Sequence, residues 1–136
     1  MFRDDLLAGM ESTADNVRQN APHYSSKMAT DNNKETFWAV DPELRTGELT
    51  VNVVPERKIN IFRVEEPIKY GQRVKSFEIW GFSGGQWVKL TEGTTIGRSR
   101  ILQLDTPVYV SKVKLVIKDA RGAPAIRSFG AWFYEL

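Results

Sequence analysis

The chain contains no cysteine and a single histidine, His23, and both scarcities remove kinds of chemistry. Without thiols there are no disulfides, thiolate metal sites or cysteine nucleophiles. One imidazole cannot build a metal site or an acid–base pair without partners, so we interpret His23 as an exposed loop residue. The sequence also lacks a Ser-His-Asp set, an HExxH motif and a glycine-rich phosphate loop, and it therefore shows no recognisable catalytic motif.

The formal net charge is only +2, and the Lys and Arg residues are scattered among acids. A protein that binds the phosphate backbone of nucleic acid needs a basic stripe, which is missing here. No apolar run approaches the roughly 20 residues that cross a bilayer, and the N-terminus has no basic-then-apolar signal. We predict neither a nucleic-acid partner nor a membrane span.

After residue 47 the dominant period is two, which predicts an all-β domain. Leu49, Val51 and Val53 alternate with polar residues, and Pro55 is expected to end that strand. The other expected strands are a run from Ile59, a hairpin of Phe77 and Ile79 with QWVKLT across the turn SGG, and the separate runs SRILQL, SKVKLVIK and SFGAWFYE. About eight short strands in one domain of 136 residues indicate an antiparallel β-sandwich or jelly roll. We expect the first forty residues to run irregularly over its surface. The last run is aromatic at nearly every position, which suits a strand that is covered on both faces or one that helps to close the sandwich.

The segment TDNNKETFWA places three oxygen-bearing side chains, Asp31, Asn33 and Thr36, just before Trp38. Calcium takes six to eight oxygen ligands, so a tight loop with this composition can bind it. The spacing is not that of an EF-hand. The alternative is a polar loop capped by a buried Trp, because Asp, Asn and Thr are also ordinary turn residues.

Four segments in one order resemble the coagulation factor 5/8 type C, or discoidin-like, family: TDNNKETFWA, EEPIKYGQRVKSFEI, GQWVKLTEGTTIGRSRI and KDARGAPAIRSFG. More narrowly, they resemble the C-terminal accessory domain of bacterial α-L-fucosidases of glycoside hydrolase family 29. The resemblance implies a galactose-binding-like β-sandwich formed by residues 1–136 as a single domain. It also implies a fragment of a larger periplasmic or extracellular enzyme, whose catalytic domain lies on the N-terminal side and is absent here.

The resemblance also implies one structural calcium, whose ligands map to the Met28 carbonyl, Asp31, Asn33 and Thr36. Asn32 stands where the family usually has Gly, and Asn tolerates the left-handed conformation of such a turn. Ser128 stands where many relatives have a Glu that completes the metal site, so this chain has less charge to offer a cation.

For sugar binding, the family's usual His after the Trp is absent, because Ala39 and Val40 follow Trp38. Tyr70 and Arg98 are the preferred ligand contacts, near the tips of the expected loops. The remaining candidates in the matching loops are Asp41, Arg45, Glu66, Arg73, Arg100 and Arg121. Arg73 and Arg100 have the alternative role of pairing with acids to fix the loops. Trp38 and Trp87 are expected to pack in the core or against the sheet edge.

The chain itself is predicted to be non-catalytic. Retaining glycosidases hold two carboxyl groups about 5 Å apart, whereas Glu65 and Glu66 are neighbours on a strand end and point to opposite faces. We therefore expect an accessory or carbohydrate-binding module of an exo-acting α-L-fucosidase, with glycans (fucosylated or galactose-containing) and the catalytic domain as partners. The alternative is a structural docking domain that binds no sugar.

Overall fold

The computed structural model describes residues 5–135, which form an antiparallel β-sandwich with eight strands. The strands are β1 (Ser12–Ala14), β2 (Trp38–Ala39), β3 (Gly47–Glu65), β4 (Val74–Ser83), β5 (Gln86–Gly93), β6 (Arg100–Ala120), β7 (Ala125–Ile126) and β8 (Ser128–Trp132). Four short 3₁₀ helices span Arg18–Asn20, Pro22–Tyr24, Ser26–Ala29 and Ile68–Tyr70. Within the described range, no helix has the length and apolar character needed to cross a membrane. The all-β prediction is confirmed.

Two long strands, β3 and β6, build both layers of the sandwich. Their first pairing joins residues 47–52 to 112–117, and their last joins residues 61–64 to 100–103. The register shifts between these stretches, which is where both strands bend from one layer into the other. β1, β4 and β5 extend the first layer, and β8 pairs with the second half of β3 to extend the other. A separate two-stranded sheet joins β2 to β7.

The prediction that Pro55 ends a strand is wrong, because β3 continues through it to Glu65. Proline lacks an N–H, and the pairing of β3 with β6 is indeed interrupted between Asn52 and Arg57. The runs SRILQL and SKVKLVIK likewise belong to one strand, β6, and not to two. The sequence pattern located the interruptions in strand pairing, but it did not show that β3 and β6 each continue through them as one strand.

The two ends of the sandwich differ in what they carry. Each long strand starts at one end, bends at the other and returns, so the connections 40–46, 66–73, 94–99 and 121–124 lie together at what we call the loop end. The bends at 53–57 and 105–111 and the β4–β5 turn lie at the opposite end, which we call the bend end. The Gly84–Gly85 turn has positive φ at both residues, as a tight hairpin requires.

The core lies between the layers and is made of the inward-facing residues of the alternating strands. Leu49, Val51 and Val53 are fully or almost fully buried, as the pattern predicted. Phe62 and Phe129 stack across the second layer with ring centroids 6.2 Å apart. β8 is buried from Phe129 to Trp132, so this part of the run SFGAWFYE is covered on both faces, whereas Phe133, Tyr134 and Glu135 are exposed.

The N-terminal segment runs over the surface with little regular structure, as expected. It is tied to β8, because Leu6 N donates to Ala131 O at 2.8 Å and Ala131 N donates to Asp5 Oδ1 at 3.0 Å. Leu7 is fully buried in the core cluster. Burial raises the pKa of the Asp5 carboxyl above its ordinary value, against the lowering effect of the hydrogen bonds from Leu7 N and Ala131 N.

Candidate functional site

The short strand β2 sends neighbouring aromatic side chains to opposite sides. Trp38 and Val40 belong to the main core, whereas Phe37 and Ala39 pack in a second, smaller cluster with Tyr24 and Tyr70. This follows from the alternation of side chains along extended backbone. Trp38 is fully buried, as predicted, and Phe37 is thereby turned to the loop end.

Three aromatic rings form a row at the loop end. The ring centroids of Tyr24 and Phe37 are 5.5 Å apart, and those of Phe37 and Tyr70 are 5.4 Å apart with an edge-to-face geometry. Phe37 forms the buried middle of the row, and the two tyrosines are partly exposed at its ends. His23 is exposed, as predicted, and its ring centroid lies 4.2 Å from that of Tyr24. Partly exposed rings of this kind can pack against the C–H face of a sugar.

Cationic side chains flank this aromatic row. The Arg18 guanidinium is 5.6 Å from the Tyr24 ring, and the Arg73 guanidinium is 4.8 Å from the Tyr70 ring. Lys69 Nζ lies 5.5 Å from Phe37 and 5.3 Å from Tyr70. Such contacts hold the rings and the charged groups in fixed relation to each other.

The loops of the site are joined by one buried carboxylate, that of Glu66. Its Oε2 accepts hydrogen bonds from Arg73 N at 2.8 Å and Val74 N at 3.2 Å, and its Oε1 accepts one from Gly97 N at 2.9 Å. The residue is 2% exposed. Glu66 was predicted as a sugar contact, but its buried carboxylate fixes two loops and is not accessible to a sugar.

Arg73 has a loop-fixing role, but not through the predicted pairing with an acid. Its guanidinium donates to Ala123 O at 3.0 Å, and its carbonyl accepts from Arg121 N at 2.9 Å. Arg100 donates to Thr95 O at 2.7 Å. Neither arginine pairs with an acid in residues 5–135, so the loops are fixed through backbone carbonyls.

Asp41 joins the connection after β2 to the first 3₁₀ helix. Its carboxylate accepts hydrogen bonds from Gln19 N at 2.7 Å and Asn16 Nδ2 at 3.1 Å. These two bonds, the first more than the second, hold the pKa of Asp41 below its ordinary value, with a smaller contribution from Arg18. Both carboxylate oxygens are already used, which favours a positioning role for Asp41.

The other predicted sugar contacts are exposed arginines. Arg98 lines a cleft of about 210 Å³ with Pro67, Gln72 and the two glycines Gly71 and Gly97. The structure thus brings Arg98 close to the 66–73 loop that carries Tyr70. Arg121 is exposed at the next connection along this end.

Arg45 is the predicted contact farthest along the connection after β2. It is exposed, and its guanidinium donates to Pro42 O and Leu44 O, both at 2.9 Å. These bonds stiffen its own loop, and no described contact joins Arg45 to the aromatic row.

The predicted calcium ligands come together in a compact loop. Thr36 Oγ1 lies 2.6 Å from Asp31 Oδ2, 3.1 Å from Asn33 O and 3.5 Å from Met28 O. Asn32 has a φ of 59°, the left-handed value that its place in the turn requires. All four groups are hard oxygen donors, which fits the coordination chemistry of calcium.

The charge around this loop fits calcium less well than the donor type does. Ser128 lines a small cleft of about 60 Å³ beside Asn33 and adds no carboxylate. The carboxylate that does line this cleft, Glu65, is paired with Arg127 and Arg63, and Lys34 adds a further positive charge. Within the described residues, no three acidic or histidine side chains are grouped as a metal site. The residues present therefore suit weak binding, with Asp31 as the sole charged ligand.

Sequence reasoning missed the aromatic partners of Tyr70. Phe37 could have been found from β2 itself, because a residue next to the buried Trp38 in extended backbone must face the other way. Tyr24 and Arg18 lie in irregular segments, and only the tertiary fold brings them to the loop end. Lys69 adjoins the predicted Tyr70 but carries no pattern that marks it.

Comparison with known proteins places the chain in a family. The F5/8 type C domain matches residues 11–129. Alpha-L-fucosidase 1 of Arabidopsis thaliana is 28% identical over 135 residues, which are 97% of this chain and 27% of that protein. The chain thus spans about a quarter of the length of the curated relatives it matches.

Solved structures agree with this assignment. A putative α-L-fucosidase from Bacteroides thetaiotaomicron superposes with a TM-score of 0.88 at 27% identity, over 96% of this chain and 29% of that one. The family 32 carbohydrate-binding module of Clostridium perfringens NanJ, solved with galactose, superposes with a TM-score of 0.77 at 19% identity, over 90% of this chain and 92% of that one. The second likeness shows the galactose-binding-like fold alone. This chain belongs to the F5/8 type C domain family, as a non-catalytic module of the kind carried by proteins named α-L-fucosidase.

Proposed function

We propose that this domain is the carbohydrate-binding module of an exo-acting α-L-fucosidase, and that it holds glycans weakly at the loop end. The observation that carries the proposal is the row of Tyr24, Phe37 and Tyr70 rings with cations at its flanks. Apolar sugar faces pack on such rings, and guanidinium or ammonium groups donate to hydroxyls. The likeness to modules that bind galactose supports this reading.

Weak binding is sufficient for such a module. A dissociation constant between millimolar and micromolar corresponds to roughly −4 to −8 kcal/mol. Tethering to a catalytic domain raises the effective concentration of substrate without any further contact. We place the parent enzyme in the periplasm or outside the cell, where fucosylated and galactose-containing glycans are encountered.

The experiment is an NMR titration of the isotope-labelled domain with fucose, galactose, N-acetyllactosamine and fucosylated oligosaccharides. Saturable shifts are expected in the amides of segments 18–24, 37–41 and 66–73. Tyr70→Ala should weaken the tightest interaction roughly tenfold, equivalent to about 1.4 kcal/mol. Tyr109→Ala is the matched control, because Tyr109 is an exposed tyrosine at the bend end.

Absence of shifts with every sugar would contradict the proposal. An equal loss of affinity in the Tyr70 and Tyr109 variants would contradict the placement of the site. Melting temperatures of both variants separate loss of binding from loss of folding.

The proposal includes one weakly held calcium at the Asp31 loop. The convergence of the Asp31, Asn33 and Met28 oxygens on Thr36 supports it. The ion would brace the turn that precedes Phe37, and it takes no direct part in sugar binding.

A second candidate function, docking on a catalytic domain, is favoured by an exposed patch at the bend end. Lys58 Nζ lies 5.8 Å from the Tyr109 ring and 4.7 Å from the Phe133 ring. Tyr109 is 56% exposed and Tyr134 is 41% exposed, and Val54 in the adjoining bend is 67% exposed. Clustered exposed apolar side chains mark interaction surfaces. Because this patch and the aromatic row lie at opposite ends, one domain can dock and bind sugar together.

A further inference from the structure

Beside the aromatic row lies a cleft of about 450 Å³ whose lining carries more positive than negative charge. Phe37 and Pro67 supply its apolar wall, and Lys34, Lys69, Arg127 and Glu35 supply its charged groups. The whole chain has a net charge of only +2, so three cations against one acid in a single cleft is a local concentration.

Two of these cations have no acidic partner. Lys34 and Lys69 make no ion pair in residues 5–135. The described lysines outside the cleft are of both kinds: three make ion pairs, and four do not (Lys27, Lys58, Lys112 and Lys118). What distinguishes Lys34 and Lys69 is that two unpaired lysines line one cleft together with Arg127.

The third cation is only partly neutralised. Arg127 Nη2 lies 2.8 Å from Glu65 Oε1, but Arg63 Nε lies 3.7 Å from the other oxygen of the same carboxylate. One carboxylate thus faces two guanidinium groups, and the positive charge at this side of the cleft is not cancelled. A cleft with low-dielectric walls concentrates such a field.

Lys69 connects the charge to the proposed sugar site. Its ammonium group lies near the buried Phe37 ring and the partly exposed Tyr70 ring, so a sugar packed on Tyr70 is within reach of it. A neutral hydroxyl is a weaker partner for an ammonium group than an anionic oxygen is, because only the anion adds the attraction between opposite full charges to the hydrogen bond.

We infer that the loop-end site selects glycans that carry an anionic group, a sulfate ester or a carboxylate, and holds that group in the cleft between Lys34, Lys69 and Arg127. This inference rests on the proposed function and specifies its ligand class. The uncharged part of the glycan packs on the aromatic row, and the anion accepts hydrogen bonds from the two lysines.

The test compares three forms of one glycan by NMR titration: N-acetyllactosamine, its 6-sulfated form and its sialylated form. At about 50 mM salt, at least one anionic form should bind about fivefold more tightly than the neutral form. The preference should shrink at about 500 mM salt, where charges on the open cleft are screened. The two anionic arms show whether sulfate or carboxylate is preferred.

Variants locate the effect. In Lys34→Gln/Lys69→Gln, the ratio of anionic to neutral affinity should fall close to one. Lys112→Gln, an exposed lysine on β6 near the bend end, removes charge elsewhere and should leave that ratio unchanged.

Each outcome decides a different question. Equal affinity for neutral and anionic forms, with loop-end shifts, overturns the inference and leaves the proposed function standing. No binding of any form overturns both. A fall in the ratio for Lys112→Gln as large as for the cleft variant overturns the inference, since the preference would then come from net charge alone.

Discussion

Asp41 shows how a single half-buried carboxylate can organise a loop. It accepts hydrogen bonds from Gln19 N and Asn16 Nδ2, and Asp41 N donates in return to Asn16 Oδ1 at 2.8 Å. The bonds are made to the charged form, which is why its pKa is lowered. The position of Arg18 beside Tyr24 depends on this connection, because Arg18 Nε donates to Val40 O next to Asp41.

The lowered pKa of Asp41 predicts a pH dependence of stability. The stabilisation is fully present above the unfolded pKa of about 3.9 and is lost as the pH falls through the folded pKa below it. Asp41→Asn should therefore lower the melting temperature at neutral pH, with the difference from wild type shrinking below about pH 4. Thermal unfolding from acidic to neutral pH measures this. Asp105→Asn, at an exposed aspartate, is the control, and a difference for Asp41→Asn that stays constant down to the lowest pH would refute the assignment.

Asp31 is the residue on which the proposed calcium binding depends. At a tenfold excess of calcium over its dissociation constant, binding to the folded state alone stabilises by about 1.4 kcal/mol. A rise of about 5 °C in melting temperature over the value in EDTA is expected, and Asp31→Asn should abolish it. Equal melting temperatures with calcium and EDTA would leave the polar-loop alternative, in which hydrogen bonds among Asp31, Asn33 and Thr36 suffice.

Among the structural elements, the 66–73 loop is held by a contact that lies outside the strands. The Glu66 carboxylate accepts hydrogen bonds from three backbone N–H groups: Arg73 in the 66–73 connection, Val74 at the start of β4, and Gly97 in the 94–99 connection. Removing the carboxylate leaves these three donors without partners. Glu66→Ala should cost about 3 kcal/mol of unfolding free energy, and Glu66→Gln less, because the amide keeps one acceptor oxygen. Urea unfolding gives both values. Glu56→Ala, at an exposed glutamate in the bend, should change stability by less than about 0.5 kcal/mol, and Glu66→Ala with no greater effect would contradict the role.

The strands also show how far local patterns determine this fold. Alternation in residues 49–53 and 76–79 predicted which side chains are buried, because a half-covered strand must alternate. The pattern could not show that β3 and β6 pass through both layers, since a bend and a strand end both interrupt alternation. It also missed β1, whose three residues are strand only because β3 pairs with them.

The parts of the candidate site that are formed by residues close in sequence were predictable, and the parts formed by distant segments were not. The oxygens of the Asp31 loop are close in sequence and come together as expected. Tyr70 was chosen from its loop, but its neighbours Phe37 and Tyr24 come from segments more than thirty residues away. Glu66 was predicted as a sugar contact and is instead buried, because a sequence does not reveal that three N–H groups converge on one carboxylate.

At the scale of the whole molecule, we predict that the exposed aromatic patch around Lys58 is covered by the catalytic domain of the parent protein. In a protein that joins this chain to an α-L-fucosidase catalytic domain, the amides of residues 108–110 and 133–135 should exchange hydrogen more slowly than in the isolated domain. Val88, exposed on the edge strand β5, reports on a surface outside the patch and should be unaffected. Identical exchange of the patch in both forms would count against docking at the bend end.

The backbone contact between Leu6 and Ala131 means that the first and last described segments lie side by side. A domain with adjacent ends tolerates being opened elsewhere, since joining those ends closes only a small gap. The Gly84–Gly85 turn is the natural place for new termini, as an exposed hairpin tip far from the aromatic row. The same adjacency makes this module easy to graft into a surface loop of an unrelated protein, which would then present the loop end outward.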